Sequence, residues 1–162
     1  MSEKLEETVG RLLTEKKLTL GLGESCTGGL IGHRLTNVPG SSTYLLGGII
    51  AYSYEAKERL LDVRHNTLYE HGAVSVETAL EMAQGARRAL GADIGIGVTG
   101  IAGPGGGLPE KPVGLVYIAL SARNTERVER FVWPGDREQN KADSAEAALS
   151  ILKAYLDNYG RG

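Results

Sequence analysis

The spacing of apolar residues changes along the chain, and each change marks an element. Leu5, Val9, Leu12 and Leu13 recur at helical spacing between charged residues, which predicts an amphipathic helix over about 3–16. Leu18 to Leu22 is a short apolar run and reads as a buried strand. A polar, glycine-rich turn from Glu24 to Gly29 follows, then a second helix to about Leu35. The breaker cluster Asn37-Val38-Pro39-Gly40-Ser41-Ser42 ends it. A run rich in β-formers predicts a strand over about 47–53. Short helices are expected over Tyr54–Leu61 and about Asn66–His71. Ser75 then caps a long helix to about Leu90, with Glu77 and Glu81 in the early turns, where the helix dipole favours acids.

In the second half, Ile94 to Thr99 is a short apolar strand with small residues interleaved. It runs into an irregular loop, Gly100 to Gly107, which Pro112 closes. Val113 to Leu120 is continuously apolar and reads as a strand buried on both faces. Arg127 to Trp133 alternates, as a half-buried strand does. The short turn between these two strands requires an antiparallel pair. A last helix opens at Gly135-Asp136-Arg137 and runs to about Tyr155, with Ala145, Ala148, Leu149 and Leu152 along its apolar stripe. Strands alternating with helices predict a three-layer α/β/α domain. Its sheet is expected to be mixed but mostly parallel, of about five strands, ending in an antiparallel hairpin. No linker or internal repeat interrupts the pattern, so residues 1–162 read as one domain.

Composition narrows the function. A net charge of −2 offers nothing to a polyanion such as nucleic acid. A single Cys excludes an internal disulfide and a cysteine zinc cluster, and fits a reducing compartment. His33, His65 and His71 have no common ligand spacing, so no metal is expected. No apolar run approaches the ~20 residues of a membrane span, and the charged start has no apolar signal region. A cytoplasmic protein with no membrane association is expected. Glycine is the outlier, at 23 residues, clustered at 21–32, 47–48 and 91–107. Without a period, these read as loop and close-packing glycines.

Three features carry candidate chemistry. The first is Gly23-Glu24-Ser25-Cys26-Thr27-Gly28-Gly29, between a strand and a helix. The helix start should present unpaired N–H groups beside an exposed hydroxyl or thiol. Ser25 and Cys26 are rival nucleophiles, and the same stretch also fits a plain tight turn with an N-cap. A serine needs a base, and no His–Asp pair stands out. Lys57 lies where a strand ends and a helix begins, and a buried lysine can serve; a helix lysine is otherwise a solvated one. The second feature is the Gly100–Gly107 loop, either an anion nest or a flexible lid. The third is Arg137, either a bidentate phosphate ligand or a surface arginine near a cap. Together they point to a small enzyme performing acyl transfer on an anionic small molecule.

Several blocks occur in a fixed order: Gly-Glu-Ser25-Cys-Thr27-Gly28-Gly29, Tyr52-Ser-x-Glu-Ala-Lys57, His71-Gly-Ala-Val-Ser75, Thr99-Gly100-Ile-Ala-Gly103-Pro, Lys111-Pro-Val-Gly and Gly-Asp-Arg137. Over nearly the whole chain this resembles the CinA C-terminal domain family, whose enzymatic members are nicotinamide-nucleotide amidohydrolases. Larger members carry an additional N-terminal domain related to molybdopterin-binding proteins, so the stand-alone form is expected here. The resemblance implies hydrolysis of nicotinamide mononucleotide to nicotinate mononucleotide and ammonia, without cofactor or metal. It implies Ser25 as nucleophile, Lys57 as base and Tyr52 as an assisting or orienting residue. It further implies that Thr27, Gly28, Gly29, Thr99, Gly100, Gly103, Gly105 and Arg137 bind the substrate. Arg137 falls near the phosphate end, and N–H groups after Ser25 form the oxyanion hole. A homodimer is also implied; Tyr44, Leu45 and Leu46 are either a patch for it or core. One position departs: the family usually has Asn where this chain has Tyr54, and tyrosine cannot copy an amide's geometry. The alternative reading is a nucleotide-binding regulatory module without turnover.

Overall fold

The computed structural model describes residues 2–161. In chain order it contains α1 (Leu5–Lys16), β1 (Leu20–Glu24), α2 (Leu30–Thr36), a 3-10 turn (Ser41–Thr43), β2 (Leu45–Ile50), α3 (Tyr54–Leu61) and α4 (His65–His71). Then come α5 (Val76–Leu90), β3 (Ile94–Gly100), β4 (Leu115–Ala122), β5 (Thr125–Val132) and α6 (Arg137–Asn158). The expected elements are all present, with shifted limits. The first strand starts at Leu20 rather than Leu18, because Lys17 turns left-handed (φ 57°) to cap α1 and Leu18 N–H still bonds back to Leu13.

The five-stranded sheet has the order β2-β1-β3-β4-β5. β1 pairs in parallel with both β2 and β3. β3–β4 and β4–β5 are antiparallel. Four strands therefore share one direction and β4 alone opposes them. The antiparallel part begins one strand earlier than the expected terminal hairpin, because the long loop after β3 doubles back instead of crossing over.

Alternation of residue size in β1 and β3 decides how the layers stack. Leu20, Leu22, Ile94, Ile96 and Val98 belong to the core shared with α1, α2 and α6. The intervening Gly21, Gly23, Gly95 and Gly97 face α5, whose backbone lies directly on them. A β-carbon on Gly97 would come 2.5 Å from the Ala79 carbonyl oxygen and 2.6 Å from Ala83 N. These four glycines form a floor for a helix. On that same face a smaller core of Leu61, Val63, Leu68 and Met82 joins α3 and α4 to α5. Tyr44 is core, at 3% exposure, while Leu46 is 43% exposed, so the tyrosine is no part of a surface patch. No helix among the described residues is long and apolar enough to cross a membrane.

β1 and β3 end side by side, and chain crossings at strand C-termini open the crevice where α/β sheets bind ligands. The floor itself has a measurable cost of change. Gly97→Ala is expected to lower unfolding free energy by about 2 kcal/mol through overpacking against α5, read from urea unfolding midpoints.

Candidate active site

Ser25 stands at the end of β1. Its N–H donates to the Val98 carbonyl (3.0 Å), extending the pairing with β3 by one residue. Gly28 (φ 61°) and Gly29 (φ 99°) then turn the chain into α2, a conformation glycine adopts without steric cost. Glu24 fixes this turn. Its carboxylate is 2% exposed. It accepts from Thr27 Oγ1 (2.6 Å), Gly29 N (3.2 Å), Ile31 N (3.1 Å) and Gly32 N (3.0 Å). The helix start expected to offer free N–H groups is thus already satisfied from within. The N–H groups of Cys26 and Thr27 are different: among the described residues neither has an acceptor.

Lys57 comes to Ser25 from the first turn of α3. Ser53 caps that helix by accepting from Ala56 N (3.0 Å), which sets which side of the turn Lys57 occupies. Lys57 is 2% exposed, and its Nζ lies 3.1 Å from Ser25 Oγ and 3.5 Å from the Tyr52 carbonyl oxygen. Among the described residues no carboxylate pairs with it. Burial without a counter-charge pushes the ammonium below its usual 10.5. The neutral amine this favours can accept the serine proton. Cys26 is the converse case. Burial raises its thiol to about 12, which removes the thiolate a cysteine nucleophile needs. Of the two rivals, Ser25 has the lysine amine within 3.1 Å, and Cys26 has its thiol held protonated by burial.

A cavity of about 270 Å³ opens over this pair, lined also by Tyr52, Thr99, Gly100, Gly103, Gly105 and Arg137. Arg137 donates from Nη1 to the Gly103 carbonyl (2.8 Å) and from Nη2 to the Tyr52 hydroxyl (3.0 Å). It braces the glycine loop against Tyr52, whose ring is 61% exposed. Thr99 is buried, and its hydroxyl donates to the Ala73 carbonyl (2.7 Å). Thr27, Gly28 and Gly29 do not line this cavity. They border an adjoining cleft of about 390 Å³ with Leu30, His33, Glu138 and Lys141. Tyr54 is outside the cavity too: its ring packs edge-on to Tyr69 (5.2 Å, 69°), and Lys57 reaches Ser25 unobstructed.

Sequence reasoning missed three supporting side chains. Besides Glu24, buried Asn140 donates to the Ala102 carbonyl (3.0 Å) and accepts from Gly135 N (3.0 Å). Lys111 Nζ donates to the His71 carbonyl (2.6 Å), fastening the far end of the loop to α4. Glu24 carried the one readable signal, an acid directly before a glycine-rich turn that opens a helix. Among the described residues no group of three His, Cys, Asp or Glu could hold a metal ion.

The model of the CinA C-terminal domain matches residues 2–156. A CinA-like protein from Chlorobaculum tepidum is 55% identical over 157 residues, covering 94% of this chain and 37% of that protein. One from Citrifermentans bemidjiense is 52% identical over 154 residues, covering 95% and 37%. The chain therefore spans a little over a third of the length of these curated relatives. Among solved structures, the competence/damage inducible protein CihA of Agrobacterium tumefaciens superposes with a TM-score of 0.88 at 41% identity. That match covers 97% of this chain and 99% of the other. The competence damage-inducible protein A of Klebsiella pneumoniae gives 0.92 at 35% identity, over 96% of each.

The Glu24 clamp can be tested by itself. Glu24→Ala leaves a hydroxyl and three N–H groups without their acceptor, and should cost about 3 kcal/mol or more in urea unfolding.

Proposed function

The chain belongs to the CinA C-terminal domain family, and on that basis we propose that it hydrolyses the carboxamide of nicotinamide mononucleotide, giving nicotinate mononucleotide and ammonia. The 3.1 Å approach of a buried, unpaired Lys57 to Ser25 carries the reading.

In this scheme neutral Lys57 takes the Ser25 proton as Oγ attacks the carboxamide carbon. The oxygen of the tetrahedral adduct takes up negative charge, and the N–H groups of Cys26 and Thr27 receive it. The Lys57 ammonium returns the proton to the amide nitrogen. The C–N bond breaks, ammonia leaves, and an ester to Ser25 remains. Water, deprotonated by Lys57, attacks that ester. The serine recovers its proton, and the carboxylate product departs. Each proton taken by Lys57 is given back, so the cycle needs no other reactant. Tyr52 contributes twice: its carbonyl steadies Nζ, and its hydroxyl, held by Arg137, narrows the cavity mouth.

Ammonia release from nicotinamide mononucleotide by the purified protein is the deciding assay. Ser25→Ala and Lys57→Met should each lower kcat by about a thousandfold or more, since the pair acts as a unit. Undiminished release by Ser25→Ala sinks the scheme. Saturable binding of the nucleotide without any release supports the regulatory-module alternative instead.

The pH dependence has a definite sign. Only neutral Lys57 is active, so kcat/KM rises with pH through an acid limb whose midpoint lies below 10.5. Stability moves the same way. The folded state resists protonation of Lys57, so the group costs stability at low pH, and the cost fades as pH rises towards 10.5. Lys57→Met should therefore raise the melting temperature more at pH 6 than at pH 10, while abolishing turnover.

A further inference from the structure

We infer that Lys141, on the second turn of α6, holds the phosphate of the nucleotide substrate in the cleft beside the Ser25 cavity. The assignment rests on the amidohydrolase reading and names the subsite for the substrate's anionic end.

The cleft adjoins the cavity along both of its walls. On the turn, Cys26 lines the cavity, and Thr27 and Gly28 line the cleft. On α6, Arg137 lines the cavity and Lys141 the cleft. These two are four residues apart on one face of α6, about 6 Å along its axis, a step that a ribose between a pyridine ring and a phosphate can bridge.

Apart from the His33 ring, which borders the same cleft, and the Cys26 and Thr27 N–H groups assigned to the oxyanion, the other phosphate-binding groups in reach are already engaged. The N–H groups at the start of α2 are taken by Glu24. Gly28 N–H bonds to the Ser25 carbonyl (3.0 Å). Arg137 is spread between Gly103 and Tyr52. Lys141 has no such engagement. It is half-buried, and among the described residues its Nζ makes no ion pair. That Nζ lies 3.6 Å from where a Gly28 β-carbon would stand, so the absent side chain leaves it room beside the turn. Glu138 borders the same cleft without pairing with Lys141, and Asp143 is held by Gln139 (2.9 Å). A half-buried ammonium with open donors in a concave site favours a phosphomonoester.

The test compares nicotinamide mononucleotide with nicotinamide riboside, which lacks the phosphate, by calorimetric binding in a Ser25→Ala background. The Ser25→Ala protein is expected to bind the mononucleotide at least tenfold more tightly than the riboside. Adding Lys141→Ala should weaken mononucleotide binding about ten- to a hundredfold, and weaken riboside binding by a far smaller factor. Lys141→Arg should keep the preference. Equal losses on both compounds, or no preference before Lys141 is changed, overturn the assignment. Ammonia release by the wild-type protein with that result leaves the amidohydrolase reading standing. Absence of both binding and release removes the two together.

Discussion

One buried carboxylate organises the reactive end of this molecule. Glu24 gathers a hydroxyl and three backbone N–H groups around the turn that carries Ser25. Those bonds fix the path of the chain between β1 and α2, and with it the direction of the serine. They also exhaust the donors of a helix start that would otherwise attract any anion. What is left unpaired is therefore informative. Among the described residues of this end, the N–H groups one and two residues after Ser25 have no acceptor, and neither Lys57 nor Lys141 has a carboxylate partner.

Those two lysines differ in what burial does to them. Lys57 sits in the interior without a counter-charge, where desolvation disfavours its ammonium and favours a neutral amine beside the Ser25 hydroxyl. Ion pairs on the outside of the molecule, such as Arg11–Glu3 at 3.3 Å, stay solvated and add little. The electrostatic expense of this fold is thus concentrated at the site.

Much of the layer pattern is legible in the sequence because period and residue size are local properties. Leucine and glycine alternate in β1, isoleucine and glycine in β3, and each alternation survives in the structure as one apolar and one bare face. The direction of β4 was not legible, since nothing local says whether a long loop crosses over or doubles back. The Ser25 turn, Lys57 and Arg137 all sit at element boundaries, where composition changes sharply. Lys141, inside the second turn of α6, reads as any solvated lysine, and Asn140 beside it reads as a polar helix residue. Their importance comes from what the tertiary fold sets opposite them. Tyr54 shows the reverse case: a conspicuous residue three positions before Lys57, whose ring turns away onto Tyr69.

The glycines divide into two populations with opposite evolutionary prospects. Under α5, Gly95 and Gly97 meet backbone atoms at once, so drift there is closed to the chain. At the cavity rim, a β-carbon on Gly105 would meet nothing within 4 Å, although Gly105 borders the space above Ser25. The scaffold is locked where the helix lies on the sheet and open where the substrate would lie. A lineage of such chains can therefore vary its rim while its interior stays still.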